Sequence, residues 1–163
     1  MENTAENLDC LPPIKIVLVG EPQGWERNGV RIITPRGKKP FPVIYTKSAT
    51  RNYQEALAAH AALAMRGREV LDEPLTIRVT AVMGVPASWS LKKREQALAG
   101  LLRPTGKPDF DNLAKMVDAL KGIVWRDDAL VVTATIRKVY GSRPQLRIDV
   151  GPADIVPPIG LRG

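Results

Sequence analysis

Residues 107–128, KPDFDNLAKMVDALKGIVWRDD, set one short amphipathic helix between two acidic clusters, and this constrains the fold more than any other stretch of the chain. Pro108 biases Lys107 away from helical geometry, so a helix is predicted to start just after it, with Asp109 at the N-cap. Leu113, Met116, Val117 and Leu120 then recur at a helical period, while Asp111, Lys115 and Asp118 fall on the opposite side, within roughly 60° of one another at ~100° per residue. Such a helix buries one face and presents charge on the other. Gly122 is the expected stop, and Ile123, Val124 and Trp125 lead into Asp127 and Asp128, ahead of a β-rich run from Ala129 to Ile136. Both acidic clusters therefore lie where a regular element meets a loop, a common place for functional groups because a rigid scaffold holds them.

Each acid has an ordinary use. An Asp before a helix is usually a cap, an Asp pair before a strand is usually a turn, and Asp111 with Lys115 is a common surface ion pair on a helix. Their combination is less ordinary. If the backbone at 109–111 is extended, Asp109 and Asp111 leave the same side of the chain and could share a divalent cation.

Asp109, Asp111, Asn112, Lys115, the Asp-Ala-Leu at 118–120 and the Trp-x-Asp-Asp at 125–128 form one ordered string. That string resembles the signature of the RusA family of Holliday junction resolvases, metal-dependent endonucleases that act as homodimers on four-way DNA junctions. The resemblance implies catalytic and metal-holding roles for Asp109, Asp111 and Asp128 and a functional role for Lys115. It ranks Asp127 below Asp128, with Asp118 as a further acid. It also implies Mg²⁺ as cofactor with Mn²⁺ as a substitute, paired symmetric nicks leaving a 5′-phosphate and a 3′-hydroxyl, and a bacterial or bacteriophage recombination and repair setting in the cytoplasm. Weaker likeness extends to Gly20-Glu21-Pro22, the Tyr45 to Tyr53 region and Arg137-Lys138-Val139-Tyr140. Phe110 and Lys121 depart from the family pattern, and neither is expected to touch the proposed ligands.

Charge agrees with an anionic partner. The chain carries +7, and residues 1–13 contribute Glu2, Glu6 and Asp9 without a base, so the remainder stands at +10. A balance of that kind points first to nucleic acid. Arg27, Arg31, Arg36, Lys38 and Lys39 form a basic loop or hairpin, Lys92, Lys93 and Arg94 a second group, and Lys107 leads into the acids; these are the candidate DNA contacts. No apolar run approaches the ~18 residues of a membrane span, so no membrane partner is expected. Cys10 alone makes no intramolecular disulfide or zinc motif, and His60 sits in an Ala-rich helix without metal-ligand companions. Any metal would be held by oxygen, which favours Mg²⁺ or Mn²⁺, and no small-molecule cofactor beyond the metal is expected.

The organisation is read as an acidic tail over 1–13, one endonuclease-like domain over 14–150 and a Pro/Gly-rich tail over 151–163, unstructured or loosely docked. Ile14 to Val19 reads as a strand, Val30 to Thr34 as a short one, and 49–66 as a helix ending at Gly67. Leu75 to Met83 alternates cleanly, with Leu75, Ile77, Val79, Ala81 and Met83 on one face. A short helix follows within 88–100. Ala129 to Val139 and Gln145 to Val150 bracket Gly141-Ser142-Arg143-Pro144 as a hairpin. The order β-β-α-β-α-α-β-β predicts an α+β, two-layer domain, a small mixed sheet with helices mainly on one face. Two other readings fit the charge: a nuclease of other branched or flap DNA, and a nonenzymatic basic DNA-binding protein. The second leaves unexplained why the acids gather on the face opposite the apolar one.

Overall fold

The computed structural model describes residues 13–153. The elements run β1 (Ile14–Val19), β2 (Gly29–Ile33), β3 (Phe41–Tyr45), α1 (Ser48–Ala64), β4 (Leu75–Gly84), α2 (Leu91–Leu98), α3 (Phe110–Met116), β5 (Val131–Gly141) and β6 (Gln145–Pro152). A 3₁₀ turn, Val117–Leu120, continues α3, and a second, Asp128–Leu130, precedes β5. This is the expected α+β domain with a mixed sheet. The N-terminal tail with Cys10, and all of the C-terminal tail beyond residue 153, lie outside the described residues.

The main sheet has the order β1-β6-β4-β5; β6 runs antiparallel to both its neighbours, and β5 runs parallel to β4. Alternation decides its faces. Ile16, Ile148, Val79 and Ile136 form one row across the four strands, and Ile14, Val150 and Ile77 start the next, all on the covered face. Leu57 and Ala61 of α1, Leu113 of α3, Val117, Leu120, Val124 and Trp125 complete that core. Each large apolar side chain fully buried there contributes roughly 1.5–3 kcal/mol against leaving it in water. The alternation read in β4 holds: Leu75, Ile77, Val79 and Ala81 are buried and Met83 packs against them.

Two expectations change. The hairpin expected from the last two strands does not form, because β5 and β6 both pair with β4 and lie on either side of it. Pro144 has no N–H with which to open a hairpin ladder, and its carbonyl accepts instead from Gly20 N–H at 3.0 Å. The turn thus steps across the end of β4, where a Cβ on Gly84 would meet Pro144 Cγ at 3.2 Å. The second change is β3, which the sequence hid: Pro40 and Pro42 argue against a strand, yet Phe41–Tyr45 pairs with β2 as a separate two-stranded sheet. Proline is tolerated there because such a ribbon consists only of edges.

α2 begins one residue after Ser90, whose Oγ accepts from Lys93 N–H at 3.4 Å. α3 has Asp109 at its N-cap, as expected, and Leu113, Met116, Val117 and Leu120 are all buried. Gly122, at φ 77°, turns the chain sharply after the 3₁₀ segment.

Candidate active site

The first turn of α3 is the anchor of the site. Asp109 is extended (φ −72°, ψ 157°), but Asp111 already lies inside the helix, so the fully extended alternative for the pair does not hold. The Asp109 carboxylate makes no capping hydrogen bond and remains available to the space in front of the helix. Residues 22–27 close against that turn. Trp25 N–H donates to Asn112 O at 2.9 Å, and Glu26 N–H donates to the buried Thr50 Oγ1 of α1 at 3.2 Å. Gly24 makes the approach possible, since a Cβ there would stand 2.6 Å from Pro108 Cβ and 3.0 Å from Asn112 Cβ. A Gly24→Ala protein is therefore expected to fold with at most ~1–3 kcal/mol lost, the usual cost of overpacking, while the 22–27 loop moves off α3. Thermal melts beside DNA cleavage rates would show the second falling well before the first.

The result is a cleft of about 780 Å³ lined by Gly24, Trp25, Arg27, Lys47, Lys107, Asp109, Asp111 and Lys115, among others. Lys115 Nζ sits 3.1 Å from Asp111 Oδ2 and 5.2 Å from the centroid of the Trp25 ring. The hydrogen bond from Lys115, with its charge in support, holds the Asp111 carboxyl below the usual range. Three carboxylates, Asp109, Asp111 and the Lys47-paired Glu26, and several cations thus face one opening large enough for a nucleotide unit.

The other acids gather around Lys121. Buried Trp125 donates Nε1–H to Asp128 Oδ1 at 2.9 Å, while Lys121 Nζ lies 2.9 Å from Asp127 Oδ2 and 3.6 Å from Asp128 Oδ2. Lys121, expected to touch none of the proposed ligands, therefore touches both members of the second pair. The cause is local: Gly122 reverses the chain and donates its N–H to Trp125 O at 2.7 Å, which returns 125–128 to the side of residue 121. Asp127 is held below the usual range, first by the Ala129 N–H it accepts and then by Lys121. Asp118 is pushed up by partial burial and by the charge of Asp128, with Lys121 and Lys115 acting against the rise. Among the described residues no three His, Cys, Asp or Glu side chains come together in a group that could hold a metal ion.

Of the basic candidates, Arg27 and Lys107 line the cleft. Arg31 projects from β2 with its guanidinium 5.9 Å from the Tyr45 ring centroid, and Arg36, Lys38 and Lys39 are exposed in the β2–β3 turn. Lys92, Lys93 and Arg94 open α2, with Lys93 Nζ 4.0 Å above the Trp89 ring. Three residues were given no site role by the sequence. Lys47 lines the cleft and pairs with Glu26 at 2.9 Å. Trp25 carries no periodic signal, being a lone aromatic in a Gly/Pro loop. Lys138 donates to Gly106 O and to Pro108 O, tying β5 to the segment that delivers Asp109. Its signal was present: counted along β5, Lys138 shares the core-facing parity of Ile136, an odd slot for a lysine.

A family model described as "Endodeoxyribonuclease RusA" matches residues 20–151, a span that contains the cleft and both acidic groups. The chain belongs to the RusA endodeoxyribonuclease family. Enzymes so described hydrolyse phosphodiester bonds within DNA strands. The chain is also similar to "Uncharacterized protein YqaN" of Bacillus subtilis (strain 168), at 35% identity over 148 residues, covering 88% of this chain and 96% of that protein. Among the described residues, no helix is long and apolar enough to cross a membrane.

Proposed function

We propose that this RusA-family protein is a divalent-metal-dependent endonuclease that resolves four-way DNA junctions by paired nicks, one from each subunit of a homodimer. The observation that carries the reading is the shared cleft, in which Asp109, Asp111 and Lys115 stand with Arg27 and Lys107. Mg²⁺ commonly keeps several waters and takes only one or two carboxylates, which the exposed pair Asp109 and Asp111 can provide; Mn²⁺ accepts the same oxygen donors. Asp128 is the third carboxylate assigned to the metal; it stands in the separate group around Lys121, and would have to release that long, exposed ion pair to serve there. When bound, the metal would supply charge stabilisation for the phosphoryl oxygens and lower the pKa of a coordinated water.

The side chains of the chain do the rest. Arg27 and Lys107 hold the phosphodiester backbone at the cleft mouth, since backbone contacts fix register and orientation. Lys115 moves from Asp111 to the scissile phosphate as negative charge develops there. Trp25 forms the cleft wall beside it. A two-fold dimer suits the substrate because two equivalent strands must be cut. Arg31, Arg36, Lys38 and Lys39 on the hairpin and Lys92, Lys93 and Arg94 on α2 serve as further backbone contacts.

The test is cleavage of a labelled mobile four-way junction beside linear duplex and a flap, with Mg²⁺ and with EDTA. Paired nicks confined to the junction and dependent on Mg²⁺ are expected. Equal cutting of the flap would instead make the protein a nuclease of branched DNA in general. Tight binding without cutting under any divalent metal would leave only a DNA-binding role.

A further inference from the structure

The helices α1 and α3 cover one face of the main sheet, and strand register fixes what the other presents. Across β1, β6, β4 and β5, one row of that face reads Lys15, Asp149, Arg78, Thr135, and the next reads Val17, Arg147, Thr80, Arg137. Lys15, Arg78, Arg137 and Arg147 are all exposed, and Asp149 is the one acid in the two rows. Arg137 Nε donates to Thr80 Oγ1 at 3.0 Å, which ties that guanidinium to the face. With strands ~4.8 Å apart and rows ~6.8 Å apart, the four cations fall within roughly 15 by 7 Å. None of them lines the acid-bearing cleft, which is bounded by residues 22–27, Lys47 and the 107–115 segment.

We propose that this open sheet face is a second DNA surface, which grips the phosphate backbone of a duplex arm other than the one entering the cleft. The inference rests on the junction reading and extends it to a second contact on the same chain. An anionic partner follows from the charge: four cations against one carboxylate leave an excess of three. A second copy of the chain is disfavoured on the same ground, because a two-fold contact sets the patch against itself, and like charges brought together at an interface are costly. Arginine predominates, and its planar fork suits phosphate oxygens better than a point charge does. A four-way junction supplies the geometry such a protein needs, with several duplex arms leaving one centre.

The decisive experiment compares the wild type with Arg78→Glu/Arg147→Glu for junction binding in EDTA across a salt series, followed by hydroxyl-radical footprinting. The variant is expected to lose about two units from the slope of log affinity against log salt, since each neutralised phosphate contributes about 0.9. Affinity at ~0.1 M salt should fall by ~10–100-fold, consistent with two lost phosphate contacts, with protection lost along one arm while the cleavage site stays protected. Cutting at saturating protein should remain near wild type. Arg78→Gln/Arg147→Gln puts no new charge opposite Asp149 and should show the same loss of slope, which separates the effect from misfolding. An unchanged slope and footprint in a variant of a wild type that does bind would overturn the inference and leave the junction reading intact. A change in oligomeric state with unchanged slope would overturn it too, marking the face as a contact between copies. A wild type that binds no junction at all would sink both.

Discussion

The Asp111→Asn protein is expected to bind a four-way junction at least as tightly as the parent and to cut it ~10²–10³-fold more slowly, the scale seen when one group stabilising transition-state charge is removed. The substitution is nearly isosteric, and Asp111 is exposed in the first turn of α3, so the fold has no reason to change. It removes a negative charge from the wall that a phosphodiester approaches, which accounts for unweakened binding. It also frees Lys115, whose 3.1 Å partner is lost, to meet the DNA directly. Cleavage falls because one of the two cleft carboxylates assigned to the metal, Asp109 and Asp111, is gone. Binding in EDTA and single-turnover cutting in Mg²⁺, measured on the same junction, separate the two effects. If both fell in proportion, Asp111 would be a binding or folding residue and its assigned role would be wrong.

Trp125 should produce the largest loss of stability of any single side chain near the site. It is 1% exposed, the largest of the fully buried residues, and its ring closes the core beneath the second acidic pair. Trp125→Ala is expected to cost ~3–5 kcal/mol, the range for deleting a buried aromatic side chain. For a domain of this size that lowers the melting temperature by roughly 10 °C, at ~2–4 °C per kcal/mol. Trp125→Phe is the informative companion. It keeps most of the ring volume but deletes the Nε1–H that Asp128 accepts at 2.9 Å, so its stability cost should be only ~1 kcal/mol. If Asp128 takes part in cleavage, Trp125→Phe should slow cutting far more than its melting temperature would suggest. Equal and small effects on both would assign the indole a packing role alone.

The helix α3 was legible because two independent signals coincide there, a proline-led N-cap and a run of apolar residues at helical spacing. β4 was legible from its alternation, which strict burial on one face enforces. The last two strands were misread for a physical reason: adjacency in sequence favours a hairpin, but a turn of three residues is long enough to step over one strand, and pairing partners are chosen by the whole sheet. In the cleft, Asp111 and Lys115 were legible as neighbours because one helical turn relates them, and Asp109 as the N-cap that Pro108 leads into. Lys121 was not, since its contacts with Asp127 and Asp128 arise from a chain reversal at Gly122 that no periodicity encodes. Lys47 and Trp25 reach the cleft through tertiary docking of the 22–27 loop on α1 and α3, which spacing along the chain does not reveal.

Among the described residues β6 is the last strand, and yet it lies between β1 and β4. During synthesis β1 therefore emerges with no neighbour to pair with, and β4 follows with both sides open, one to be taken by β5 and the other by β6. Contacts of such long sequence separation form slowly, because loop closure must precede any gain. The β4/β5 pair that backs α3 precedes β6 in the chain, whereas β1 joins the sheet only once β6 has been made. A nascent chain stopped short of Gln145 would hold every acidic residue of the site and still lack the strand that ties β1 to β4.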